Sequence, residues 1–387
     1  MEVPAELGGR LRLLRAAAFL STFDRFTIAP MLVTIAADLD VSLAEVAVAA
    51  STYFLLYGLM QPVWGMLSDR IGRVTVIRLT LVAVLVPGLL SAFAPNLATL
   101  IVGRALAGGL FAAIIPASLV YIGDTVPIST RQKALADQLA TSAVATALAT
   151  VTAGIAAYLD LWRLAFAAPV LASATLGLLF IRRLPEPEHG DGDAGILARL
   201  VTVFRKPWAL LVVLFALIEG GVILGFLTYL APALENQGFS SAASGLAVGL
   251  YGVATLVWTR ILKRVSDRVG AHVLLIMGGA LLVAGYAAGA LEQNLIGISL
   301  AAVFVGGGFA FMHSTLQTWA TEVVPEARAT MISLFAAALF TGSGLATSAA
   351  APLAQDDLFS LLFTIAALIA LPLGLIAGFS RRRYGRK

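Results

Sequence analysis

Apolar runs of membrane-crossing length recur twelve times along the chain, at about 13–37, 44–67, 74–94, 98–121, 133–158, 163–182, 207–231, 241–263, 271–291, 295–320, 329–353 and 358–380. A helix needs about 20 residues to cross the hydrocarbon core. The pattern therefore predicts an all-α polytopic membrane protein with twelve transmembrane helices. The one long polar connection, "RRLPEPEHGDGDAGILARLVTVFRKP", splits the chain into two sets of six spans. This gives an N-terminal bundle at 1–182, a central loop at 183–206 and a C-terminal bundle with a basic tail at 207–387. Within the loop, Ile196–Phe204 predicts a short amphipathic helix on the membrane surface.

Composition agrees, with 59% hydrophobic and 12% charged residues and a mean hydropathy of +0.93, well beyond the apolar usage of soluble domains. Arg10, Arg12 and Arg15 precede the first apolar run in the manner of a signal peptide, but the run continues past Asp24 and Arg25 to about Ala37. It reads as the first span. The net charge of +4 comes from basic residues lying between apolar segments, which points to topology and away from nucleic acid. With both termini on one side, 23 of the 26 lysines and arginines fall on that side. The opposite loops hold Asp38, Asp40, Glu45, Glu235, Glu292, Asp356 and Asp357. Both termini are expected to be cytoplasmic, in a cytoplasmic or inner membrane.

The two halves repeat each other. "SDRIG" at 68–72 returns as "SDRVG" at 266–270, and "DTVP" at 124–127 returns as "EVVP" at 322–325, both displaced by 198 residues. Parallel duplication of this kind organises transporters whose six-helix halves are related by an axis along the membrane normal. The loop between spans 2 and 3 reads "GMLSDRIGR". Its Gly65, Asp69, Arg70, Gly72 and Arg73 resemble the signature loop of the major facilitator superfamily, with Val74 in place of a further basic residue. A degenerate copy carries Asp267, Arg268 and Gly270 between spans 8 and 9.

The resemblance implies two pseudo-symmetric six-helix bundles and a latch at the cytoplasmic face. Gly65 would admit close packing of span 2 against the other half. Asp69 would accept from the N-terminus of span 11 near Glu326–Thr330. Arg73 would reach Asp124, Asp267 would face Ser129–Arg131 at the start of span 5, and Arg268 would meet Glu322. Arg70 fits the positive-inside rule on its own. Such contacts form when the cytoplasmic side is closed and so would stabilise the outward-open state.

An ionisable residue at membrane depth costs several kcal/mol unless paired or hydrated, and so marks a candidate site. Asp24 and Arg25 fall near the middle of span 1, Arg104 on span 4, Glu219 near the middle of span 7 and His313 on span 10. In the superfamily these four spans line the central cavity, as the resemblance implies. "RALAGG" at Arg104 and "FDRFTIAPML" at Asp24 are similar to the twelve-span drug:proton antiporter branch. Span 5, "ATSAVATALATVTAGIAAYL", has small residues suited to close helix contact but departs from that branch in lacking a Gly-Pro pair. An Asp24–Arg104 pair can release its carboxylate to take a proton while a cationic or polar substrate competes for it. Two readings stand for Arg25, a local pairing role or capture of a substrate carboxylate. Glu219 reads as a second proton site or a substrate-cation site, and His313 as a titrating or a structural histidine. Phe23, Phe26, Phe226, Tyr229, Tyr251, Trp258, Phe309 and Trp319 are available to a binding cavity.

The expected function is proton-coupled efflux of a small amphiphilic drug or metabolite, by antiport through rocking of two bundles. Proton- or ion-coupled uptake of a small organic acid or nutrient is the alternative, and a transport-dead receptor of the same fold a third. The partners are then a small-molecule substrate, protons and the lipid bilayer, with a monomer as the working unit. No nucleotide-binding GxxxxGK[ST] is present, so ATP-driven pumping is disfavoured, and no cofactor beyond the proton gradient is expected. Cysteine is absent, and His189, His272 and His313 lack any metal-ligand spacing. An enzyme is not expected.

Overall fold

The computed structural model describes residues 5–187 and 196–385. Among the described residues it contains twelve helices long and apolar enough to cross a membrane: spans 1 (Leu7–Leu39), 2 (Leu43–Ile71), 3 (Arg73–Ala92), 4 (Leu97–Thr125), 5 (Ile128–Tyr158), 6 (Trp162–Phe180), 7 (Pro207–Glu235), 8 (Ser241–Ser266), 9 (Ala271–Leu291), 10 (Leu295–Val323), 11 (Pro325–Gln355) and 12 (Phe359–Tyr384). Each predicted run lies on one of them. Leu59, Val86 and Leu368 are more than half exposed, as expected where lipid replaces water as the solvent.

Four of the helix starts on the face away from the termini, those of spans 2, 4, 8 and 10, are set by side-chain caps that obey the same repeat. Ser42 caps span 2 in a reciprocal box with Glu45, whose carboxylate accepts from the Ser42 N–H at 2.8 Å, and Ser240 caps span 8. Asn96 caps span 4 and Asn294 caps span 10. Each cap supplies an acceptor to an otherwise unpaired N–H group. The spacing of 198 residues found in the sequence recurs in packing. Gly108 lies against the Tyr53 carbonyl, and Gly306 lies against the Tyr251 carbonyl.

Spans 1, 4, 7 and 10 are each interrupted midway. Span 1 passes through a 3-10 turn at Ala29–Met31, span 4 breaks at residues 112–113, span 7 contains a π segment at Gly221–Gly225 followed by a 3-10 turn at Phe226–Tyr229, and span 10 contains a π segment at Phe309–His313. Hydroxyls from neighbouring spans accept the duty of satisfying the freed carbonyls, as non-helical backbone at this depth requires. Ser21 donates to Phe111 O at 3.2 Å and Ser343 to Gly220 O at 3.0 Å. Tyr286 donates to Val222 O, and Thr347 of span 11 donates to Gly225 O at 3.5 Å.

The halves meet through small residues. A Cβ on Gly58 of span 2 would come within 2.8 Å of Ala337 O and 2.9 Å of Thr341 N on span 11, and a Cβ on Gly245 of span 8 within 2.9 Å of the Gly154 Cα on span 5. The small residues of span 5 thus serve the crossing with span 8. On the far face, Ala29–Met31 packs against Phe226–Tyr229 and Leu230–Glu235, and the Ala44 N–H donates to Gln355 Oε1 at 3.1 Å. On the face that carries the termini, no comparable packed interface joins Ile114–Thr125 of span 4 to Ser314–Val323 of span 10 among the described residues. The halves are therefore closed together on the far face, while at the terminal face spans 4 and 10 stand apart and spans 2 and 11 remain in contact, Gly65 against Ser333.

The loop helix Ile196–Phe204 docks on the start of span 11. Val203 is fully buried there, while Val201 and Phe204 stay exposed. The expected surface helix is thus partly a packing element of the C-terminal half.

Candidate functional site

Asp24 and Arg104 are both completely buried. The guanidinium forks across the carboxylate, Nη1 to Oδ1 at 3.1 Å and Nη2 to Oδ2 at 2.9 Å, and Nη2 also reaches the Asp24 carbonyl at 3.1 Å. Tyr53 and Phe166 flank it, with ring centroids 4.5 and 4.6 Å from the guanidinium carbon. The bidentate geometry and two aromatic faces offset the cost of burying both charges. Gly103 against Ser91 and Gly108 against Tyr53 bring span 4 close enough to spans 3 and 2 for this packing.

Arg25 follows Asp24 by about 100° around the helix and points into the interface between the halves. Its guanidinium carbon lies 5.1 Å from the Tyr57 ring, 5.1 Å from Phe340 and 5.4 Å from Phe26. Its hydrogen bond to Thr22 Oγ1 is long, at 3.4 Å, and it has no carboxylate within ion-pair distance among the described residues.

Across the interface, Glu219 is fully buried and sits two residues before the π segment of span 7. Its Oε2 lies 3.5 Å from Nδ1 of His313, the last residue of the π segment of span 10. Neither Glu219 oxygen has a hydrogen-bond partner among the described residues. The imidazole stacks on Phe309 at 4.5 Å and leans on Phe335 at 5.5 Å. Tyr251 touches both Phe309 and Phe26, at 6.2 and 6.1 Å between ring centroids. An aromatic chain thus links the acid–histidine pair to the Arg25 box.

The structure gathers the five candidate side chains in three groups: an ion pair in the N-terminal half, an acid–histidine pair in the C-terminal half, and an arginine between them. Of the aromatics read from sequence, Phe26, Tyr251 and Phe309 belong to this centre. Trp258 donates to Val303 O at 3.1 Å, Phe226 packs on Tyr286, and Trp319 belongs to a terminal-face cluster with Trp208 and Tyr384. Tyr53, Tyr57, Phe166 and Phe340 carry no chemical signature in the sequence and are supplied by tertiary packing alone.

The signature loop departs from the expected contacts in several places. Arg73 Nε lies 3.1 Å from Asp124 Oδ2, and its Nη2 lies 3.6 Å from Asp69. Asp69 makes no hydrogen bond to the start of span 11 among the described residues. That helix start holds the Lys206–Glu326 ion pair and the loop helix. Glu322 pairs with Arg381 of span 12 at 2.6 Å, leaving Arg268 outside the contact expected for it, and among the described residues Asp267 makes no bond to Ser129–Arg131. The physical reason is that partners within each half take these groups first: Arg73 lies beside Asp69, and Arg381 reaches Glu322 from within its own half. Gly65 is also looser than expected, since a Cβ there would sit at an ordinary 3.7 Å from Ser333 Oγ. The close approach falls at Gly58. Gly72 adopts φ +98°, whereas its repeat Gly270 has φ −69°.

Glu186 was not legible as a site residue. It accepts from Val74 N–H at 3.1 Å and Thr75 N–H at 2.9 Å, capping span 3 from the start of the central loop. Its only sequence signal was an acid placed after a span in a polar linker. His189 lies outside the described residues. No group of His, Cys, Asp and Glu suited to a metal occurs among the described residues.

The model of the Major Facilitator Superfamily matches residues 15–347. The multi-drug resistance efflux pump PmrA of Streptococcus pneumoniae is 26% identical over 351 residues, covering 87% of this chain and 86% of the relative. An uncharacterized MFS-type transporter of Bacillus subtilis, YceJ, is 27% identical over 357 residues and covered to 90% on both sides. Among solved structures, a bacterial homologue of the human lysosomal transporter Spinster, in an inward-facing and unoccupied conformation, aligns with a TM-score of 0.77 at 16% identity over 99% of both chains. The nucleoside transporter NupG aligns with a TM-score of 0.79 at 12% identity over 96% of this chain and 99% of that one.

Proposed function

The chain belongs to the Major Facilitator Superfamily and is a multi-pass membrane transporter, not an enzyme, and we propose that it exports a small amphiphilic compound in exchange for protons. The observation that carries this reading is the Glu219–His313 pair. A carboxylate buried at mid-membrane with no hydrogen bond to either oxygen is a natural proton carrier, and a histidine at 3.5 Å gives that proton a second seat. Asp24, by contrast, has both oxygens and its carbonyl held by Arg104. We assign it the job of fixing span 1 to span 4, with proton exchange requiring that fork to open.

The basic residues on the terminal face support a cytoplasmic orientation for both termini, so the space between spans 4 and 10 there faces the cytoplasm. Substrate enters from that side and settles at the aromatic centre as the Glu219–His313 pair gives up its proton to the cytoplasm. Closure then brings Asp69 to the start of span 11 and Asp267 to the start of span 5, in addition to the Arg73–Asp124 contact already made. Opening of the far face releases substrate and reloads the proton. The similarity to PmrA supports export over uptake. Everted membrane vesicles test the reading: an imposed proton gradient drives accumulation of exported compound, and a protonophore stops it. Gradient-driven loss of preloaded compound from the same vesicles would instead support uptake of a small organic acid.

A further inference from the structure

We infer that Arg25 is an anion subsite and that the transported compound is an amphiphilic carboxylate with an aromatic or other apolar body. The direction of movement in this inference rests on the exporter reading; the chemistry of the subsite does not. Asp24 is the neighbour that would neutralise Arg25, but Arg104 occupies it completely. Glu219 is the other interior carboxylate in the interface, and it faces His313. Arg25 is left with one long hydrogen bond to Thr22 and an Nε without any partner. A guanidinium offers five donors in a planar fork, so most of its capacity is unspent at a depth where an uncompensated charge is costly.

The surroundings describe what completes it. Phe26, Tyr57 and Phe340 lie about the guanidinium at 5.1–5.4 Å. Their faces stabilise the cation in part but accept almost none of its hydrogen bonds. A carboxylate matches the fork in plane and spacing, and the rings supply surface for an apolar body. A cationic compound would have to approach Arg25 directly and displace His313 from Glu219. Tyr57 comes from span 2 and Phe340 from span 11, with ring centroids 4.3 Å apart, so a ligand in the box touches both halves. Its arrival and departure are thereby tied to their relative motion. Exporting a carboxylate against an entering proton also moves net positive charge inward, so an inside-negative potential accelerates the exchange.

The test titrates 1-naphthylacetate, its neutral primary amide and 1-naphthylmethylamine by calorimetry into purified full-length protein in lipid nanodiscs, with no gradient. The carboxylate is expected to bind about tenfold or more tighter than either analogue. Arg25→Gln removes that preference and Arg25→Lys retains part of it. Phe340→Ala, which keeps the charge, weakens all three ligands together. Equal binding of the three, preference for the amine, no binding of the carboxylate, or a preference that survives Arg25→Gln overturns the inference. Proton flux in vesicles reports on the exporter reading separately. Cations that drive proton exchange equally through wild type and Arg25→Gln would leave an exporter standing and remove the anion subsite.

Discussion

Arg104 lays its guanidinium across both carboxylate oxygens of Asp24, at 3.1 and 2.9 Å, with neither residue exposed. The pair joins span 1, just before its 3-10 turn, to the far-face segment of span 4. Removing one partner leaves the other charge buried without compensation, at a cost of about 3–5 kcal/mol. Asp24→Ala and Arg104→Ala are each expected to lower the melting temperature in detergent markedly. The double variant should lose less than the sum, which a double-mutant cycle on thermal unfolding measures.

Gly72 is required by its backbone. At φ +98° and ψ 150° it occupies a region that only glycine enters readily, with a cost of about 1–3 kcal/mol for other residues. A Cβ there would also strike the Glu186 carboxylate. Gly72→Ala is expected to destabilise by that order. Glu186→Gln keeps the acceptor oxygen but loses the charge at the start of span 3, and should cost less. Thermal unfolding of the two variants side by side checks the order.

The twelve spans, and the ionisable residues that lie within them, were legible because apolar length and the charges interrupting it are local properties of the chain. The pairing of Asp24 with Arg104 was legible for the same reason, as two opposite charges at membrane depth have few other partners. Tyr57 and Phe340 were not, because an aromatic residue in a membrane helix reads alike whether it faces lipid or a guanidinium. The π segments at Gly221–Gly225 and Phe309–His313 leave no mark on hydropathy, since an added residue in one turn does not change the apolar run. The latch contacts that span the halves were read for a closed terminal face, and Asp69 and Asp267 do not make them here among the described residues.

Two glycines on span 2 should separate cleanly. Gly58→Val forces side-chain atoms against the backbone of Ala337 and Thr341, an overpacking typically worth about 1–3 kcal/mol, and is expected to lower both stability and transport. Gly65→Ala adds a methyl at ordinary contact distance from Ser333 and is expected to fold like wild type. Melting temperature and transport rate of both variants decide the matter.

Closure of the terminal face should bring Asp69 to the start of span 11, where the Lys206–Glu326 pair and the loop helix now sit. The chain has no cysteine, so introduced pairs report without background. Cysteines at Asp69 and Glu326 are expected to cross-link slowly in the resting protein and faster during turnover. A rate unchanged by substrate would argue against that closure.

The exchange of protons at Glu219 is tested most directly by pH change inside everted vesicles holding purified protein, wild type against Glu219→Gln, on addition of a bound substrate. The account predicts substrate-evoked proton release from the lumen in wild type and none in Glu219→Gln, while Glu219→Gln still binds the compound. Proton release in Glu219→Gln at the wild-type rate would contradict it.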